Sequence, residues 1–160
     1  MRKYLFLSML VIFTASAYAQ DRHFGLGVVF GEPTGISAKY WTRENNALSF
    51  GLGWYPQTVV RRFGYYYYTD TRFHIHADYL WHDFNAIRSS ERFPLYYGVG
   101  AEVESGGIPD PGVGVRGVFG IAWMPHNASL DVFLEVAPTL FLSPPAGFGI
   151  GLGLGSRYFF

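Results

Sequence analysis

The run from Arg72 to His82, RFHIHADYLWH, places three histidines, an aspartate and an arginine within eleven residues. Imidazole and carboxylate are the groups that bind divalent metals, and they also serve as general acids and bases. His74, His76 and Asp78 form the pattern H-x-H-x-D, which resembles the start of a metallo-hydrolase motif. In that motif a further histidine follows the aspartate directly, whereas this chain has Tyr79. Whether these groups do chemistry depends on the element that carries them. On a strand, Arg72, His74, His76, Asp78 and His82 share one face, and Phe73, Ile75, Ala77, Tyr79 and Trp81 share the other.

A strand is what the surrounding sequence predicts. Alternation of period two recurs along the chain, with turn residues between the runs. In the C-terminal FGIGLGLGSRYFF, Phe148, Ile150, Leu152, Leu154, Ser156, Tyr158 and Phe160 fall on one face. Gly149, Gly151, Gly153, Gly155 and Arg157 fall on the other. As a helix this segment would lose about 1 kcal/mol per glycine. Similar runs place Phe24, Leu26, Val28 and Phe30 on one face, then Ile36, Ala38 and Tyr40, then Leu48, Phe50, Leu52 and Trp54. Beyond the histidine run come Leu95, Tyr97, Val99 and Ala101, then Val115, Phe119, Ile121 and Trp123, then Val132, Leu134, Val136 and Leu140. Eight strands result.

Composition separates the architectures that alternate in this way. Aromatic residues make up 19% of the chain, charged residues only 15%, and there are 20 glycines and no cysteine. The absence of cysteine excludes disulfides and thiolate metal sites. A soluble sandwich or lipocalin-like barrel would turn its apolar face inward. Here the apolar face is bulky and aromatic and the charged face is rich in glycine. Bulky rings cannot all enter the narrow interior of an eight-stranded barrel, whereas glycines fit there and leave room for long neighbours. The expected fold is therefore all-β, an eight-stranded antiparallel transmembrane β-barrel with short periplasmic turns.

The N-terminus agrees with export. Arg2 and Lys3 precede an apolar stretch from Tyr4 to Phe13, and Ala17-Tyr18-Ala19 forms an A-x-A cleavage site before Gln20. The stretch is shorter than the roughly 20 residues of a spanning helix, which argues against an uncleaved anchor. Residues 1–19 are read as a signal peptide and 20–160 as the barrel domain. Loss of Arg2 and Lys3 leaves 10 basic residues against 12 acidic ones, a net charge of −2. So balanced a charge points away from nucleic acid.

With the polar face inward, the lumen is expected to hold Lys39, Arg116 and Arg157 with Asp78, Glu102, Asp131 and Glu135, and His74 and His76 among them. Turning that face to lipid would cost about 2–4 kcal/mol for a basic group near the midplane. Buried charges persist only when paired and hydrogen-bonded, so this set predicts a salt-bridged interior. His74 and His76 are read as members of that network, with a metal site at His74, His76 and Asp78 as the alternative. No cofactor is expected. The nearby pair His126 and Ser129 falls in a turn with no fixed acid partner, which is poor geometry for nucleophilic catalysis. The glycines of GIGLGLG open no helix, so they are no dinucleotide fingerprint. The chain is not expected to be an enzyme.

TRENN, DFNAIRSSER and MPHNAS are the expected periplasmic turns, and EPTG, PQTVVRRFGYYYYTDT, SGGIPDPG and SPPAG the external loops. Trp41, Trp81, Phe93, Trp123 and Phe160 are expected to form an aromatic girdle at the periplasmic interface. In the longest loop, Arg61, Arg62, Tyr65, Tyr66, Tyr67 and Tyr68 suit recognition of an extracellular protein or glycan. The same tyrosines could instead extend the flanking strands as a collar at the outer leaflet.

GEPTGISAKYW, FHIHADYLWH, PLYYGVGAEVE, LDVFLEVAP and the final GSRYFF together resemble a family of short bacterial outer-membrane β-barrels of the OmpA/OmpW-like eight-stranded class. The resemblance runs from about Gly25 to Phe160. Phe160, with Tyr158, Leu154 and Leu152 at alternate positions, is similar to the C-terminal signal read by the barrel-assembly machinery; Ser156 interrupts the pattern. What the resemblance implies is location in the outer membrane, lipid and the assembly machinery as partners, and no established activity or catalytic residue.

Overall fold

In a computed structural model of the protein, residues 23–60, 67–105, 112–143 and 146–160 are described, and over 57–60 and 67–70 the description is of strand pairing alone. The leader 1–19, with Arg61, Arg62, Tyr65 and Tyr66, lies outside the described residues. Eight strands follow one another: β1 Phe24–Glu32, β2 Thr34–Arg43, β3 Asn46–Val60, β4 Tyr67–Asp83, β5 Leu95–Ser105, β6 Gly112–Trp123, β7 Leu130–Phe141 and β8 Gly147–Phe159. Each pairs antiparallel with its neighbour in sequence, and β8 pairs with β1 to close the barrel. Closure leaves the main sheet without free edges. Among the described residues no helix is long and apolar enough to cross a membrane.

The alternation read from the sequence is the alternation of the wall. Phe30, Ile75, Phe119 and Phe148 stand on the outer face and are exposed, Phe148 at 68%. Lys39, Asp131 and Arg157 point inward, at 0%, 0% and 2%. An interior of charges inside a coat of exposed aliphatic and aromatic side chains is the reverse of a water-soluble barrel.

Glycines on the inner face make space for specific rings. A Cβ on Gly51 would collide with the imidazole of His76, and one on Gly155 with the ring of Phe133. Lumenal side chains on β4 and β7 therefore lie flat against glycine backbone on neighbouring strands. This explains why the charged and glycine-rich faces coincide in the sequence.

Two expectations change. The loop read as residues 56–71 is mostly strand: β3 has 15 residues and β4 has 17, and pairing continues from Pro56↔Thr71 to Val60↔Tyr67. On the other sides of this hairpin, β2 first meets β3 at Thr34↔Trp54 and β5 first meets β4 at Phe73↔Ser105. Beyond those positions β3 and β4 rise as a two-stranded ribbon past their neighbours. A run of β-branched and aromatic residues (Thr58-Val59-Val60 opposite Tyr67-Tyr68-Thr69) explains why the strands continue. Tyr67 and Tyr68 belong to β4, in keeping with their reading as an extension of the flanking strands.

Trp41 is the second correction. It follows Lys39 by two residues and shares its inward face, so it packs against His82, Phe84 and Phe159 rather than joining an outer girdle. Residue type had suggested an interface anchor; strand parity decides otherwise. The outer aromatics at this end include Tyr79 against Trp81 and Trp81 stacked on Tyr97 at 5.6 Å. Trp123 is 40% exposed there, and Tyr158 contacts Phe160 edge-on. Phe93 precedes β5 and is half-buried.

Candidate functional site

The lumen divides along its axis. Near the rim where β1 begins and β8 ends, Asp131 Oδ2 accepts from Lys39 Nζ at 3.0 Å and from Arg157 Nη1 at 3.3 Å. Arg157 Nε also donates to Ser37 Oγ at 2.9 Å, and its guanidinium carbon lies 3.7 Å from the centre of the Phe133 ring. A planar guanidinium can stack and donate along its edges at once, which lysine cannot do. Lys39 sits over Trp41 at 4.6 Å and Tyr96 at 5.4 Å. His82 is wedged between Trp41 and Tyr96, with ring centres 4.5 and 5.2 Å away. With Leu80, Val118, Ala122 and Phe133, these groups fill the cross-section.

The middle of the lumen is organised by Arg116. Its Nη2 donates to Glu135 Oε1 at 2.9 Å and its Nη1 lies 3.4 Å from Glu102 Oε2. Its Nε is 3.1 Å from Asp78 Oδ1, an ion pair without hydrogen-bond alignment. Tyr96 donates its hydroxyl to Glu135 at 3.0 Å. Thus β4, β5, β6 and β7 each contribute to one cluster around a single guanidinium.

Toward the opposite rim the packing opens into a vestibule of about 170 Å³. Its polar lining includes Tyr55, His74, Glu102, Glu104 and Arg116, with Glu32 and Thr139, and Gly149 and Gly151 of β8 also line it. Glu104 accepts from Tyr55 at 2.6 Å and from Arg72 at 3.0 Å. Below it a space of only about 20 Å³ remains near His76, Arg116, Glu135 and Arg157, room for about one water.

Every lumenal residue named from the sequence points inward: Lys39, His74, His76, Asp78, Glu102, Arg116, Asp131, Glu135 and Arg157. What the sequence reading missed is Glu104, two residues beyond Glu102 on the same face, and Tyr55, whose hydroxyl reaches Glu104. Parity alone could have found Glu104. The metal candidates His74, His76 and Asp78 do not converge on a point. They form a file, with His74 Nε2 to His76 Nδ1 at 2.8 Å and His76 Nε2 to Asp78 Oδ2 at 3.6 Å. His74 instead meets Glu102 and Glu104, whose donor atoms and its own lie within 4.8 Å of one another. His126 is far from this site, on an exposed rim, where its Nδ1 is 3.4 Å from Glu91.

No family model matches this chain, and comparison with curated proteins finds no match. Among solved structures it is similar to Ail, the attachment invasion locus protein of Yersinia pestis, with 13% identity, 86% of this chain and 93% of that chain covered, and a TM-score of 0.42. The assignment of a closed, antiparallel, eight-stranded barrel rests on this chain's own strand pairing.

Proposed function

We propose that the protein is an exported outer-membrane β-barrel with a structural or surface-exposed role, whose ion-paired interior performs no catalysis and supports no general diffusion. The observation that carries this reading is the inverted wall: large apolar side chains exposed on the outside, with Lys39, Asp131 and Arg157 buried at the axis. A charged lumen favours this orientation because lipid tolerates the apolar coat while the charges satisfy one another. Residues 1–19 act as the signal peptide, and outer-membrane lipid and the barrel-assembly machinery are the expected partners. The chain's resemblance to short OmpA/OmpW-like barrels supports the same location.

Membrane fractionation followed by a denaturing gel with and without boiling tests the proposal. An intact barrel recovered with the outer membrane should migrate differently before and after boiling. Photolabelling from the lipid phase should mark Phe50 and Leu134 and spare His76 and Glu135. Labelling in the reverse pattern would reject the assignment.

A second reading is favoured by the projecting β3–β4 ribbon. Its tip, around Arg61 to Asp70, would recognise an extracellular ligand while the barrel serves as its anchor. Deleting that tip should abolish surface binding and leave the gel shift of the barrel intact.

A further inference from the structure

A file of side chains runs between vestibule and core: Glu104, His74, His76, Asp78, with two carboxyl groups at its ends and two imidazoles between them. His74 Nδ1 faces Glu104 Oε1 at 3.9 Å, the two imidazoles meet at 2.8 Å, and His76 Nε2 faces Asp78 Oδ2 at 3.6 Å. Only the central gap is closed to hydrogen-bond distance, and the gap at Glu104 opens on the vestibule.

The surrounding groups are mostly acidic. Among the described residues, Asp78, Glu102, Glu104 and Glu135 share Arg72 and Arg116 as guanidinium partners, while Lys39 and Arg157 are engaged with Asp131 below.

We infer that the vestibule binds one divalent transition-metal ion of the zinc class through His74, Glu102 and Glu104. An ion there fills the vestibular gap, where one ligand atom from each of the three side chains lies within 4.8 Å of the others. It selects the tautomer in which His74 Nε2–H donates to His76 Nδ1 and His76 Nε2–H faces Asp78. His76 and Asp78 then orient the ligating imidazole, as outer-shell partners commonly do around histidine ligands. Arg116 Nη1 at 3.4 Å and Glu102 Oε2 at 3.9 Å both lie farther from His74 Nε2 than His76 Nδ1 does at 2.8 Å. Three protein ligands beside an open cavity leave a coordination position for water or solute. The site shares the lumen orientation of the proposed function but goes beyond it, since a purely structural interior needs no ion.

Zinc titration of the untagged, folded barrel in detergent after chelator treatment tests the inference, with an unboiled gel confirming the fold of each variant. The wild type should take up one equivalent. His74→Gln and Glu104→Gln should each abolish that uptake, and His76→Ala should weaken it about 10- to 100-fold. His126→Gln, at the exposed rim, should retain it. A gel-shifted wild type that binds no stoichiometric zinc, or a folded His74→Gln that binds it as well as wild type does, would overturn the metal site and leave the barrel proposal standing. A chain whose migration ignores boiling would overturn both.

Discussion

The two halves of the lumen use the same residue types to opposite ends. Around Asp131 the ionised groups are enclosed by rings, with Trp41, Tyr96, Phe133 and Phe159 excluding water. Around Glu104 the groups line an open vestibule, which Gly149 and Gly151 of β8 help to keep clear. In the first half two cations converge on one carboxylate; in the second, carboxylates outnumber guanidiniums. Enclosure raises the penalty for a group left without any partner, because it has no solvent to turn to. Openness leaves room for a small ion or water.

Removing a charge from each region should therefore have unequal consequences. The largest effect is expected for Asp131→Ala, which strands Lys39 and Arg157 in a dry interior and should cost about 3–5 kcal/mol. Urea unfolding of the lipid-reconstituted barrel would measure it, and an unchanged midpoint would erase the contrast between the halves. Glu135→Leu comes next, at about 1.5–3 kcal/mol, since Arg116 keeps Glu102 and Asp78 while losing its shortest contact. The same unfolding assay checks it, and wild-type stability would count against the inward placement of Glu135.

Arg72→Met sharpens the comparison from the other side. At the vestibule its loss should cost about 1–2 kcal/mol in unfolding, because Tyr55 still donates to the buried Glu104. The same variant should tighten zinc binding in calorimetry by removing a competing cation; weaker binding would contradict the metal site. The smallest effect is assigned to His126→Ala. Both members of the His126–Glu91 pair are solvent-exposed, so stability should stay within about 0.5 kcal/mol of wild type.

Much of this molecule was legible before any coordinates. Period two sorts side chains to faces without knowledge of partners, so Lys39, Asp131 and Arg157 were all read as lumenal. Their mutual contact was not legible. Lys39 and Asp131 are 92 positions apart, and Arg157 and Ser37 are 120 apart. Which inward residues share a level depends on how adjacent strands are staggered, and that is a property of pairing rather than pattern. Trp41 shows the converse error, in which residue type outweighed parity. The β3–β4 ribbon was legible in part: its tyrosines read as an extension of the flanking strands, which pairing bears out at Tyr67 and Tyr68, whereas Pro56 to Val60 and Thr69 to Thr71 read as loop and are strand.

The seam between β1 and β8 bears on the order of assembly. Arg157 reaches Asp131 on one adjoining strand and, across β1, Ser37 on β2, so its guanidinium knits both sides of the closing joint. Until the first and last strands meet, Gly25 and Phe159 are distant ends of an open ribbon whose ionised groups remain hydrated. Dehydration of the Asp131 cluster is consequently a late event, coupled to the longest-range contact in the chain. Only when the circumference becomes continuous can those charges shed their water.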